Sequence, residues 1–354
     1  MKFLILLTCS VSALFGFSQK SKRYTVRTIA FYNVENLFDT KDDSLIFDDD
    51  RTPQGKDHWT AERYHKKLKN ISKVISQIGA EVTQTSPDLI GLCEVENKQV
   101  LQDLINQPAL LEKGYGIIHF DSPDERGIDV ALLYKKAVFI PSSFESHRLL
   151  LFTAEDERNY TRDQLVVGGL LDLEKIYVIV NHWPSRSGGE SRSKPNRIAA
   201  AQLNKRIMDS LIHLNTHAKI ISMGDLNDDP TDESLKKVLK TNGAKKMLVK
   251  GELFNPMEKM YKKGIGSLAY RDKWNMFDQI ILTPNMVNTE KGAYTFWKAG
   301  VFSPSYVITQ KGAYKGYPFR TYAGGNYTGG YSDHFPVYLY LIKEAYDTTE
   351  EKEP

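Results

Sequence analysis

The octet Met223-Gly224-Asp225-Leu226-Asn227-Asp228-Asp229-Pro230 closes an apolar run, Ala218 to Met223, that reads as a buried strand. Gly224 permits a tight turn; one carboxylate, one amide and two further carboxylates precede the proline that ends it. Such a cluster can hold a hard cation, orient a water, or cap the following helix, Thr231 to Lys240. The octet alone leaves all three open.

Five other strand ends resemble it. The strand Tyr24 to Tyr32 runs into Asn33-Val34-Glu35-Asn36, and Leu89 to Cys93 runs into Glu94-Val95-Glu96. Ile176 to Val180 ends in Asn181-His182-Trp183-Pro184-Ser185. Phe277-Asp278-Gln279 enters Ile280 to Leu282, and Ser332-Asp333-His334 enters the last strand, Pro336 to Leu341. Neighbouring strands of a sheet place their ends side by side, so residues distant in sequence can converge on one site.

Between these ends the pattern is mixed. Thr60 reads as an N-cap, and Tyr64, Leu68, Ile71, Val74, Ile75 and Ile78 keep helical spacing until Gly79 stops the run. Tyr115 to Phe120, Ile128 to Tyr134 and Leu165 to Leu171 read as strands, and Pro195 to His213 as a helix. Thr241 to Lys273 and Tyr314 to Tyr331 read as long surface loops. Glu35 and Glu96 are expected to face solvent or cap helices, and Trp274, Tyr322, Tyr327 and Tyr331 to pack within loops. No repeat, heptad or linker divides the chain.

With 354 residues, 41% of them hydrophobic, the chain can bury a large core. Its net charge of +3 is too small to argue for a polyanionic partner, so any basic footprint must be local. Lys2, the apolar run Phe3 to Phe17 and the small-x-small site Gly16-Phe17-Ser18 form a secretory signal pattern over residues 1–18. A retained N-terminal anchor is the alternative. The pattern predicts export to periplasm or medium, with no stable membrane span after cleavage. Loss of Cys9 leaves Cys93 as the single cysteine, which excludes an internal disulfide and a cysteine-based zinc site. Cys93 sits in an apolar run, where a buried thiol is expected. The charged tail, residues 344–354, is expected to be disordered.

The pieces NVENLFD at Asn33, LIGLCEVEN around Glu94, NHWPSR at His182, MGDLNDDP at Asp225, FDQIIL at Asp278 and YSDHFPV at Asp333 resemble, in order, the endonuclease/exonuclease/phosphatase superfamily. The resemblance spans residues 19–343 and implies a DNase I-like α/β fold: a two-sheet β-sandwich flanked by helices in four α/β/β/α layers. It implies hydrolysis of a phosphate ester aided by Mg²⁺, with Mn²⁺ or Ca²⁺ as alternatives. Glu94, with Asn33 and Asp333, would hold the metal, which needs few protein oxygens. Asp225 and Asn227 would orient or deprotonate the attacking water, because residues i and i+2 of an extended segment point the same way. Asp278 would fix His334, and His182 would donate a proton to the leaving oxygen or stabilise developing charge. Asp129 is a candidate to support His182, and Arg162 stands where DNase-like relatives carry a phosphate-binding Arg.

The basic run Arg186, Arg192, Lys194 and Arg197 could meet flanking phosphates, and Asp228 and Asp229 would cap the next helix. An exported nuclease acting on DNA or RNA is the first expectation. A small-substrate phosphatase or phosphodiesterase, for inositol phosphates or phospholipid head groups, is the second. Family inositol phosphatases carry Trp-Cys-Asp-Arg where this chain has Met276-Phe277-Asp278-Gln279, which argues against that branch. A non-catalytic binding module would have no reason to keep all six motifs. No protein partner is inferable.

Overall fold

The structure, a computed structural model, describes residues 23–153, 155–287 and 292–345. The expected leader and the tail beyond Ala345 lie outside the described residues. Glu344 itself is the last residue of a strand, paired with Tyr24.

Two mixed sheets pack face to face. The strands of the first are β1 (Tyr24–Leu37), β2 (Leu89–Val95), β3 (Tyr115–His119) and β4 (Asp129–Lys135), joined later by β12 (Thr295–Val301) and β13 (Val337–Glu344). The second holds β5 (Phe139–His147), β6 (Gln164–Leu171), β7 (Glu174–His182), β8 (Ile220–Asp225), β9 (Thr241–Asn242), β10 (Leu253–Phe254) and β11 (Asp278–Leu282). Their orders are β12-β13-β1-β2-β4-β3 and β9-β10-β11-β8-β7-β6-β5. β1 and β2 run parallel, as do β7 and β8, so the expected strand ends meet at one edge of each sheet.

Alternation divides the apolar residues between layers. Ile29, Phe31, Leu89 and Leu132 meet Val178, Val180, Ile221, Met223 and Ile280 between the sheets. The opposite face of the first sheet, including Ala30, Tyr32, Ile90 and Leu92, is covered by α1 (Ala61–Gln77) and α2 (Lys98–Ile105). That of the second, including Ile179, Ile220 and Ile281, is covered by α3 (Glu190–Leu214). The result is the four-layer α/β/β/α sandwich.

Local rules held for α1: the Thr60 side chain accepts from the Arg63 N–H, and Gly79 follows with φ +76°. α3 begins at Glu190, earlier than the sequence suggested, with Pro195 inside it. β5 and β12 were missed because much of each is half-buried or exposed, which blurs alternation. Thr241 to Lys273 is no continuous loop; it contains β9, β10, the helix Pro256–Tyr261 and the short strand Leu268–Tyr270. The helix expected over Thr231 to Lys240 is only a short helical turn, Ser234–Val238.

The candidate active site

Register builds the centre of the site. Asp225 ends β8 opposite His182 of β7 on one side and Asp278 of β11 on the other, so three polar residues share one rung. Gly224 is required for a different reason than a turn. It lies within β8, where a Cβ would stand 2.4 Å from the Asn181 carbonyl oxygen. The turn falls at Asn227, with φ +50°, whose N–H donates to Asp225 Oδ1 at 3.1 Å. Asp225 and Asn227 therefore meet through an Asx turn, and the expected extended i, i+2 geometry is not what joins them. Asn227 Nδ2 donates to the Trp183 carbonyl at 3.0 Å, tying the turn to the end of β7.

The first sheet supplies the facing wall. Asn33 pairs with Cys93, and a bulge after Cys93 leaves Glu94 with φ +61°. Glu94 Oε2 accepts from the Asn36 N–H at 3.0 Å, while Oε1 lies 3.4 Å from Asn33 Nδ2 and 3.9 Å from His182 Nε2. Asn33 also donates to Asp225 Oδ2 at 3.0 Å, and its own oxygen accepts from the Glu35 N–H. Expected as a metal ligand, Asn33 is placed here as the donor that joins the two carboxylates. Ser332 Oγ donates to the Asn33 carbonyl at 2.7 Å and accepts from the His334 N–H, which anchors Asp333 and His334 beside them.

The two histidines differ electrically. Asp278 Oδ2 lies 2.6 Å from His334 Nδ1, the pairing the sequence suggested. Burial would depress this imidazole, but the Asp278 and Asp225 carboxylates outweigh it and hold its pKa well above the usual value. His182 is depressed well below its usual value, first by burial and then by the Arg162 cation. Burial pushes Asp225 up to about 7 against the pull of His334. His182 Nε2 and His334 Nε2 lie 3.7 and 3.9 Å from Asp225 Oδ2, so one carboxylate stands between a neutral and a cationic ring. His182 Nδ1 and Asp278 Oδ1 are buried with no hydrogen-bond partner among the described residues.

Among the described residues, three groups of His, Cys, Asp and Glu ligand atoms lie within metal-holding distance: Asp225 with Asp278 and His334, Cys93 with His182 and Asp225, and His119 with Asp121 and Asp129. Cys93 is buried and its thiol is pushed well up by burial, which makes it a poor ligand and nucleophile. Glu94 Oε1 and the half-exposed Asp333, whose Oδ1 lies 3.9 Å from His334 Nε2, supply the hard oxygens at the rim. Hard oxygens of this kind suit a divalent cation, for which one or two protein carboxylates suffice.

Several assignments change. Asp129 does not support His182; its oxygens serve His119 Nε2 at 3.0 Å and the Ser122 hydroxyl and N–H. Arg162 is buried, bonded to Asp124 and to the Trp183 carbonyl, so it braces the site from behind. Arg186 is held by the Asn227 carbonyl, Glu190 and Asp232. Arg197 is buried against Asp228 at 2.5 Å. Asp228 and Asp229 cap no helix: the first joins Arg197 to Ser234, the second accepts from the Met276 N–H. Glu35 and Glu96 are buried acceptors for the Thr321 and Asp39 N–H groups, not solvent-facing residues. Sequence reasoning missed Lys67, which lies 3.6 Å from Glu35. Its place on the apolar face of α1, one turn after Tyr64, was the available signal.

The profile of the Endonuclease/Exonuclease/phosphatase family matches residues 28–343. No curated protein sequence matches the chain. Among solved structures, an endonuclease/exonuclease/phosphatase family protein from Bacteroides thetaiotaomicron is 19% identical, with a TM-score of 0.53 and coverage of 94% of this chain and 100% of that one. A mannosyl-6-phosphatase from Bacteroides thetaiotaomicron VPI-5482 is 18% identical, with a TM-score of 0.53 and coverage of 89% and 99%. A truncated TDP2 from Caenorhabditis elegans is 14% identical, with a TM-score of 0.54 and coverage of 89% and 97%. At these identities the structures share the fold. The family profile covers most of the chain, and the chain belongs to the endonuclease/exonuclease/phosphatase family, a family of phosphoesterases.

Proposed function

We propose that this protein is an exported nuclease that uses a divalent cation to hydrolyse phosphodiester bonds of DNA or RNA. The observation that carries the reading is the His182–Asp225–Asp278 rung, with His334 closing it from the facing segment. Export rests on the leader pattern of residues 1–18.

Glu94 and Asp333 would hold the cation, Mg²⁺ by the hardness of their oxygens, with Asn33 positioning Glu94. Bound there, it would neutralise charge on a phosphate oxygen as a Lewis acid. Asp225, its pKa raised to about 7, takes a proton from the attacking water, and the Asn227 turn holds its Oδ1 in place. The His334 imidazolium, locked by Asp278, faces the charge that develops on the phosphate. His182, neutral and buried, donates a hydrogen bond to the leaving oxygen.

A second reading has one observation in its favour. Arg186 and Arg197, expected to meet flanking phosphates, are spent on Asp232 and Asp228. A site without them suits a small phosphate ester, and the likeness in fold to a mannosyl-6-phosphatase supports that reading.

The test is a substrate panel with Mg²⁺ and with EDTA: plasmid DNA, RNA, bis-p-nitrophenyl phosphate, sugar and inositol monoesters, and phospholipids. Metal-dependent cleavage of nucleic acid is expected. Turnover of monoesters with nucleic acid untouched transfers the assignment to the second reading, and silence across the panel removes both.

A further inference from the structure

One face of α1 carries a row of cations. Lys66, Lys69 and Lys73 are exposed, and among the described residues none of them, nor Arg63, forms an ion pair with a carboxylate. Some other helix-borne lysines are matched four residues away, as Lys205 is by Asp209 and Lys237 by Glu233. Spacings of three and four residues put Lys66, Lys69 and Lys73 in one row. From Arg63 to Lys73 the ridge is about 15 Å long at 1.5 Å per residue. That length spans several successive phosphates of a nucleic-acid strand.

Arg63, Lys66 and Lys69 line an open groove of ≈ 780 Å³ whose other wall is Tyr327, Thr328 and Gly329, and Lys73 continues the row beyond it. The Arg63 guanidinium lies over the Tyr327 ring at 4.4 Å, which makes a flat cationic plate at the groove's end. Lys73 sits over the Tyr306 ring at 4.2 Å. Glu62 is the one carboxylate in the lining.

The buried face of the same helix holds the chain segment that leads into the active site. Lys67 Nζ donates to the Tyr331 carbonyl at 2.7 Å and to Thr321 Oγ1 at 2.5 Å. Asn70 Nδ2 donates to the Gly329 and Gly330 carbonyls at 3.0 and 2.7 Å. The groove wall is therefore pinned to α1 just before Ser332, Asp333 and His334 enter the site.

We propose that the α1 ridge and Tyr327 form an exosite for the phosphodiester backbone of a single nucleic-acid strand whose scissile phosphate lies at Asp225 and His334. The inference rests on the nucleic-acid reading above and supplies the flanking contacts that Arg186 and Arg197 do not. A row of unpaired cations beside an aromatic plate suits a backbone that presents repeated phosphates and stackable bases. A single phosphate group would engage only one part of it.

The experiment uses the mature chain and the triple variant Lys66→Gln/Lys69→Gln/Lys73→Gln. Binding of a fluorescent single-stranded oligonucleotide is followed by anisotropy in EDTA across a NaCl series. Removing three phosphate contacts lowers the slope of log affinity against log salt by about 2, from ~0.7 per contact. Affinity at low salt is expected to fall at least about tenfold, one decade being the smallest loss consistent with several lost charge contacts. The Lys→Arg triple variant restores binding, and thermal melting shows that the exposed substitutions leave the fold intact. Metal-dependent hydrolysis of bis-p-nitrophenyl phosphate stays unchanged. An unaltered salt slope overturns the exosite, as does loss of sedimentation with phosphatidylserine vesicles while oligonucleotide binding persists. Failure to cleave nucleic acid in the substrate panel overturns the nuclease reading separately, because the binding assay contains no metal.

Discussion

Asp278→Asn removes one charge from the site at nearly constant volume. Asp278 is fully buried and its Oδ2 lies 2.6 Å from His334 Nδ1, so the bond it makes is charge-assisted and shielded from water. Losing a hydrogen bond to a charged group costs about 1.5–3 kcal/mol, less than the ~3–5 kcal/mol of an orphaned buried charge because His334 can release its proton. His334 is held protonated when folded, so the pair contributes its stability fully below the ordinary imidazole pKa of about 6.5. That contribution is lost as pH rises through the elevated folded pKa. Urea denaturation should therefore separate wild type from variant most at pH 5.5–6.5, a window set at or below that ordinary pKa of about 6.5. The rate should suffer more than stability. Losing a preorganised cation opposite developing charge costs on the order of 10²–10³ in kcat. The variant's rate relative to wild type should recover as pH falls, because acid restores the imidazolium while the loss of ionised Asp225 is common to both. Histidine titration by NMR and kcat for bis-p-nitrophenyl phosphate across pH check both halves. A variant with kcat within about twofold of wild type, against the ~10²-fold loss reasoned above, and an unmoved His334 titration would refute the assignment.

Other outcomes follow from the same geometry. Gly224→Ala forces a Cβ to within 2.4 Å of the Asn181 carbonyl, so thermal denaturation should register a loss of about 1–3 kcal/mol or more. Arg197→Met removes the closer of two cations beside Asp228, Arg186 remaining at 3.4 Å, and should cost about 1.5–3 kcal/mol in urea, with little change in KM for nucleic acid if Arg197 is structural. The rate on a small diester should rise with pH as Asp225 ionises, with a midpoint at or below about 7 because a nearby cation favours the carboxylate. A rate that falls between pH 5 and 7, the range just below that midpoint, would contradict its role as base. Asp129→Asn should leave the His182 titration unmoved, since its partner is His119; a shifted His182 would restore the link the sequence suggested.

The alternating and apolar runs around Phe31, Leu92, Val180 and Met223 mark strands because each must bury a face, and that requirement is written locally. Strand ends rich in Asn33, Glu94, His182, Asp225, Asp278 and Asp333 likewise stand out, because polar residues at the mouths of buried strands have few cheap explanations. Spacing could also place Thr60 as a cap, since capping needs only neighbours in the chain.

Partnerships were another matter. The cations Arg162, Arg186 and Arg197 look alike in sequence, yet each is consumed by a carboxylate or carbonyl 21 to 46 residues away. Asp129 found His119 instead of His182 because both sit on adjacent strands, β3 and β4, while His182 belongs to the other sheet. Gly224 is demanded by the approach of β7, which no property of its own segment records. The sequence by itself marked the polar residues at the ends of apolar strands, because residue type and apolar patterning are properties of each segment. Only the tertiary structure decided which charges face each other, because electrostatic pairing depends on distances that register and sheet packing set.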